Sequence, residues 1–531
     1  MSKLILALIV FVSFVPAFAQ EVPRIGEVID VTVANVDVVV TDRSGKPVRG
    51  LTKDDFQLFE SGKPQTITHF SEFTSRGDAT AAQSDATPRP PRTMVIFVDR
   101  TTIRGPERAR FFDEVKKLVR NTIEAGDQAA VVSWFWGVRT RCELTDNVAK
   151  LEQTLDVIAK EPPYIESDQQ MAIATEREMV AEAVDPKGAG SSGIGISATQ
   201  GDSATRALLE MRQKARALGA IMKSMAGADG QKIVVLVSHR FSTMAGAEYL
   251  RGAGLMQSRQ FAADREIGSV IEAANRNGVT VYAIHPETVT FDAQETASYR
   301  GPQSTAARGA ALAVNESRAL EEVAERTGGV AAWGIGGVTK AMQQLDEDLD
   351  SYYSLGYEPA KDSDGRHQIS VKLKNGGGYR VRIRSEIVTR PPDVQLRDRV
   401  IGSLFHPAHV EGIPVQVFLK KPRRERELIF LPLQIRVPMS GLTLLSDGKQ
   451  RTGGFKVLLA WGGQLGSISE VRESHQPIAV PESEAAAALS KFVTYELEIA
   501  APTTIDRAVI AVVDDRSREL GLVRFDMPRL K

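Results

Sequence analysis

The sequence predicts an α/β domain joined to all-β segments: a doubly wound, Rossmann-like sheet domain inserted in or flanked by one β-sandwich, with a second, C-terminal β-sandwich. Three observations predict it. Thr93-Met-Val-Ile-Phe-Val-Asp99 is a continuous apolar run, as in a strand covered by helices on both faces. From there strands alternate with helical spacings as far as Ser351. On both sides of that region, at 28–73 and after Tyr352, the pattern is of strands with little helix.

The chain has 531 residues, enough for two to four domains. Its formal net charge of −1 implies no general attraction to nucleic acid or to anionic membranes. Lys3, the apolar run Leu4–Val15 and Ala17-Phe-Ala19 read as a secretory signal peptide over 1–19. The run is short for a spanning helix, and no later stretch is apolar enough. An exported protein, periplasmic or extracellular, with no integral segment after cleavage is expected. Cys142 is the only cysteine, so no internal disulfide forms, and its place near a predicted strand suggests a buried side chain.

Val31, Val33, Val36, Val38 and Val40 mark a first strand, and Asp42–Pro47 a turn. Gln57–Glu60 and Gln65–Phe73 are the next strands, too few to close a sandwich alone. Residues 74–92, rich in Ser, Asp, Thr and Pro, are a linker. Arg76-Gly-Asp78 lies in it and carries no weight by itself.

After Asp99, helices are predicted over 107–123, 148–159, 204–225, 259–275, 317–326 and 338–351, with strands at 129–136, 138–143, 232–237 and 279–284. Residues 188–202, rich in Gly and Ser, read as a surface insertion, and 287–316 as an irregular loop. Tyr353–Tyr357, His367–Leu373 and Tyr379–Arg384 are returning strands. Then 415–419, 428–437, 454–461, 491–499 and 506–514 place a β-sandwich over 393–531.

Residues 93–351 resemble a von Willebrand factor A domain, in the order of elements, in Val95-Ile-Phe-Val-Asp99 and in Lys232-Ile-Val-Val-Leu-Val-Ser-His239. The flanking phrases, from Val36 to Glu60, Ala324-Glu-Arg-Thr-Gly-Gly329 and Tyr352-Tyr-Ser-Leu-Gly-Tyr-Glu-Pro359, are similar to those of secreted, acidobacterial-type von Willebrand factor A-related proteins. The resemblance covers about 28–386. It implies that 28–73 and 353–386 pair into one sandwich with the A domain between them.

It also implies a site for Mg²⁺ or Mn²⁺, built from a D-x-S-x-S loop, a distant Thr and a distant Asp. This chain departs from that set. Asp99 is present and Thr101 replaces the first Ser, but Ile103 replaces the second. His239 stands where the second Asp is expected, and Thr205 or Ser203 would supply the remaining hydroxyl. One carboxylate with Arg100 and Arg104 close in sequence is a poor match for a doubly charged hard ion, and imidazole is a poor Mg²⁺ ligand. A degenerate site is expected, with no cofactor and Asp99 paired to His239 or an arginine. Bound Mg²⁺ or Mn²⁺, or a transition metal between Asp99 and His239, are the alternatives.

Motifs for hydrolysis, zinc proteolysis and phosphate binding are absent: no G-x-S-x-G, H-E-x-x-H or G-x-x-x-x-G-K-[ST]. Ser238 and His239, adjacent at a strand end, point different ways and make a poor dyad. His406, His409 and Glu411 lack further ligands, and Pro407 blocks helical spacing. No enzyme is therefore expected. The expectation is a protein-interaction module that meets a protein partner through the loops 99–106, 137–147, 188–205 and 238–246. Arg100, Thr101, Arg139 and His239 are candidate contacts. Trp134 and Trp136 are either anchors or core. The alternatives are a structural component of an envelope assembly and a Mg²⁺-dependent adhesion-type binding protein.

Overall fold

A computed structural model of the chain describes residues 33–74, 87–88, 90–100, 107–135, 137–161, 198–226, 228, 230–238, 241–246, 262–285, 305–359, 365–404, 412–463 and 468–528. The expected signal segment 1–19, Arg76–Asp78, Thr101, Arg104, Trp136, His239, and the group His406, His409 and Glu411 lie outside them.

The first strands are β1 (Ala34–Thr41), β2 (Phe56–Glu60), β3 (Lys63–Gln65), β4 (His69–Thr74) and the short β5 (Thr87–Pro88). Val36, Val38 and Val40 alternate inward along β1. The reading of 65–73 as one strand is corrected, because 66–68 separate β3 from β4.

Next comes β6 (Arg92–Asp99), buried throughout. It is followed by α1 (Glu107–Thr122), β7 (Gln128–Trp134), β8 (Val138–Thr145), α2 (Val148–Lys160), α3 (Ala198–Ser224), β9 (Gln231–Val237), α4 (Asp264–Asn277), β10 (Val279–His285), α5 (Thr305–Arg326), β11 (Ala331–Trp333) and α6 (Gly334–Asp350). Helix α5 starts at Thr305, so the end of the expected loop 287–316 is helical.

The six strands lie in the order β11-β10-β9-β6-β7-β8, parallel except for the β8 edge. Val95 and Phe97 face one cluster with α3, α4 and α5. Met94, Ile96 and Val98 face the other, with α1, α2 and α6. Burial on both faces is why β6 is apolar without alternation. Each such side chain contributes roughly 1.5–3 kcal/mol on burial.

The chain then returns through β12 (Ser351–Tyr357), β13 (Arg366–Leu373), β14 (Arg380–Arg382) and β15 (Glu386–Val388). Strand β12 pairs antiparallel with both β1 and β4, and β13 with β2. One apolar cluster lies between the two sheets, holding Val36, Val38, Leu58, Tyr353, Leu355 and Ile369. Strands before and after the six-stranded sheet thus complete one another. Asp348 of α6 anchors them to it, accepting from Arg382 Nη1 (2.6 Å) and from Tyr282 Oη (3.0 Å).

Helix α7 (Pro392–Ser403) was not expected from the sequence. Pro392 opens it, where the missing N–H costs nothing. It covers one face of a sheet built from β19 (Leu445–Ser446), β20 (Gln450–Gly463), β21 (Arg472–Pro481), β23 (Ile505–Asp514) and β24 (Leu520–Asp526). The other face meets a second sheet of β16 (Gln416–Leu419), β17 (Arg423–Glu425), β18 (Leu428–Pro438) and β22 (Phe492–Pro502), sharing a cluster with β16, β18 and β22. Strands β21 and β24 also went unread in the sequence. In β21 even the inward positions are only half-buried, and Pro477 breaks the pattern, so no apolar alternation marks it.

Candidate functional site

Three adjacent parallel strands, β7, β6 and β9, end side by side at Trp134, Asp99 and Ser238. Asp99 is opposite Trp134 in register, and Val98 is opposite Val237, one residue before Ser238. Asp99 lies on the same strand face as Val95 and Phe97, toward α3. Its carboxylate is fully buried. The Ser238 hydroxyl donates to Asp99 Oδ2 over 2.9 Å.

The charge that balances Asp99 comes from α3. Lys214 Nζ lies 2.6 Å from Asp99 Oδ2 and 2.8 Å from Glu210 Oε1, and the side chains of Lys214 and Asp99 are 1% and 0% exposed. Helical side chains lean toward the N-terminus, which carries the lysine along α3 toward Glu210, one turn earlier. Burial alone would lower the Lys214 ammonium. Asp99, then Glu210, outweigh it and hold the group above its ordinary value. Among the described residues the centre thus brings two carboxylates and a hydroxyl around one ammonium.

Of the expected partners of Asp99, His239 or an arginine, His239 and Arg104 lie outside the described residues, and Arg100 is engaged elsewhere. Arg100 follows Asp99 on the opposite face, where Nη2 lies 2.9 Å from Glu161 Oε2 and the guanidinium stacks on Phe135. Glu161 also holds Arg141. Arg108 caps the end of α2, donating to the carbonyls of Ile158 (2.7 Å) and Ala159 (2.9 Å). Thr205 is exposed on α3, about 13 Å of helix rise from Lys214, so the two do not share one level of the helix. Arg139 is exposed on β8 beside the end of β7, opposite Ser133. The stretch 137–147, named among the presenting loops, is mostly this edge strand, in line with the strand reading of 138–143. Trp134 is core, and Cys142 is buried as expected.

A divalent ion does not fit this centre as it stands. An ion on Asp99 Oδ2, about 4 Å from the Lys214 ammonium, would be repelled by roughly 8 kcal/mol at an effective dielectric near 20. Among the described residues no group of three or more His, Cys, Asp or Glu side chains is placed to hold a metal. No helix among them is long and apolar enough to cross a membrane.

Sequence reading missed Glu210 and Lys214. Spaced i,i+4 with the acid first, they look like a solvated helix pair. One signal was present: Ala207, Met211, Leu218, Ile221 and Met225 form a 4-3 apolar row along α3, and Lys214 falls within it.

No family model and no curated protein matches the chain. Solved structures similar to it include a von Willebrand factor type A protein from Catenulispora acidiphila, at 10% identity over 88% of this chain and 74% of that one, with a TM-score of 0.26. The vWF domain of the type V pili tip protein Mfa5 from Porphyromonas gingivalis is 13% identical over 50% of this chain and 96% of that one, with a TM-score of 0.25. An aerotolerance-related membrane protein from Bacteroides fragilis is 10% identical over 49% and 98%, with a TM-score of 0.24. At these scores the likeness carries no functional argument. The sheet order and the strand-end aspartate keep the resemblance to von Willebrand factor A-related proteins at the level of fold.

Proposed function

We propose that the mature chain is an exported, non-enzymatic protein-interaction module. It presents the strand-end face of the 93–351 domain, with its degenerate metal site, to a protein partner. A β-sandwich of 28–73 with 353–386, and a second within 393–531, space and orient that face.

One observation carries the reading: Asp99, Lys214 and Ser238 are buried and spend their charges and hydroxyl on one another. A general base or nucleophile must come within hydrogen-bond reach of its substrate. A metal that bridges to a partner must keep open coordination positions. This centre offers neither, so recognition falls to the segments around it, carried on a rigid scaffold. Arg139 and Thr205 are exposed there, and Thr101 and His239 are the further candidates by sequence. The signal segment supports export to the periplasm or beyond. The near-zero net charge argues against nucleic acid as the partner.

The test is cross-linking of the mature protein in envelope and medium fractions, with partners identified by mass spectrometry. Capture of one partner that is lost in Arg139→Glu/Thr205→Lys, yet kept in a variant of the exposed Glu496 and Glu498, supports the reading. A partner indifferent to the strand-end variant, or no specific partner, ends it.

A second reading, a structural component of an envelope assembly, draws on exposed Phe418, Leu419 and Phe492 along β16 and β22. Light scattering separates the two: a homo-oligomer dispersed by Phe418→Ser/Phe492→Ser favours assembly.

A further inference from the structure

We infer that Lys214 is the resident cation of the strand-end centre: a covalently tethered ammonium takes the position a divalent ion would need, and its removal opens that position to one. The inference rests on reading the site as degenerate, and it is independent of which partner the face meets.

The oxygen set is that of a hard-cation site. Asp99 and Glu210 bring carboxylates and Ser238 a hydroxyl, from two strands and a helix. The oxygens converge on nitrogen. At 2.6 and 2.8 Å the contacts have the length of charge-assisted N–H···O bonds, whereas Mg²⁺ sits about 2.0–2.1 Å from its ligands and demands six. Asp99 Oδ2 faces the Lys214 ammonium at 2.6 Å and accepts from Ser238, so an ion would have to displace both to use that oxygen.

The ammonium cannot leave as a hydrated ion can. Its stem runs through the apolar row of α3, where Met211 and Leu218 are core residues one turn to either side. The stem therefore packs as a hydrophobe, while the head supplies charge to the strand ends. One side chain does the work of core residue and counter-ion, and the balance between α3 and β6 becomes independent of divalent ions in the medium. Truncation at 214 removes the cation and leaves both carboxylates and the hydroxyl in place. The vacated position is then lined by the same two buried carboxylates and hydroxyl, an oxygen set that suits a hard divalent ion.

The experiment is titration of Mn²⁺ alone into the mature full chain, followed by calorimetry and electron paramagnetic resonance. Wild type is expected to take up no Mn²⁺ saturably at this centre. Lys214→Ala is expected to bind it saturably, with an apparent Kd lower by about tenfold or more than any residual wild-type uptake. Lys214→Ala/Asp99→Asn is expected to lose that binding. Saturable wild-type uptake abolished by Asp99→Asn overturns the inference, and so does a folded Lys214→Ala that takes up no Mn²⁺. If Lys214→Ala does not fold, wild-type melting decides. Equal melting temperatures in chelator and in Mn²⁺ support the inference, and a rise in Mn²⁺ that Asp99→Asn removes overturns it. Failure of these titrations leaves the partner reading intact, and loss of the partner leaves these titrations intact.

Discussion

Lys214 Nζ and Asp99 Oδ2 lie 2.6 Å apart, with neither side chain more than 1% exposed. The contact ties the middle of α3 to the end of the sheet's innermost strand. Two charges out of water must each be compensated, so the pair specifies how α3 seats on the sheet more than it adds net stability.

Its two members are not equivalent. Lys214→Met strands both Asp99 and Glu210 without their ammonium and should cost about 3–5 kcal/mol. Asp99→Asn leaves Lys214 paired to Glu210 and should cost about 1–3 kcal/mol. Urea unfolding of the two variants checks the order. Asp99→Asn as the more damaging change would mean that Glu210 contributes nothing.

Stability should fall on the alkaline side. Tyr282, Tyr353 and Tyr357 are all raised, chiefly by burial, with Asp348, Glu72 and Glu60 respectively adding to it. Lys214 is raised by Asp99 and Glu210 against the effect of burial. Each holds its proton more tightly folded than unfolded. Their contribution is complete below the unfolded values, about pH 10, and is lost as pH rises through the folded ones. Urea midpoints should drop above about pH 10, less steeply in Tyr282→Phe. A midpoint that climbs over that window would contradict the assignment.

Two glycines should respond with opposite sign. A Cβ on Gly329 would lie 2.0 Å from the Val281 carbonyl oxygen, so Gly329→Ala should cost about 1–3 kcal/mol or more through forced backbone movement. Gly268, inside α4, faces open space, and Gly268→Ala should gain about 0.5–1 kcal/mol from helix propensity. Thermal melts of the two variants, bracketing wild type, are the check.

Two contacts of the C-terminal sheets carry unequal weight, one an ion pair to β8 and the other within their own core. Arg507 Nη2 lies 2.7 Å from Glu143 Oε1, both partly exposed, so Arg507→Ala should change stability by less than about 1 kcal/mol. Leu404, fully buried at the C-terminal end of α7 against the C-terminal sheet, should cost about 2–5 kcal/mol as Leu404→Ala. Comparable losses from both would mean that the ion pair is desolvated in solution.

By itself the sequence determined the elements whose signals are local. The unbroken apolar run of β6 has one cause, burial on both faces, and it placed Asp99 at a strand end. Alternating Val36, Val38 and Val40 marked the inner face of β1. Local signals failed where burial is shallow, as in β21, and where a short helix such as α7 owes its place to the sheet it covers. The centre was beyond their reach altogether. Ser238 meets Asp99 across 139 residues of chain, and Glu210 with Lys214 has the spacing of an ordinary surface pair. Only packing decides that this face of α3 turns inward against the strand ends. There the loss of water makes the lysine's charge indispensable, because a buried carboxylate must find a counter-ion and α3 supplies the one at hand.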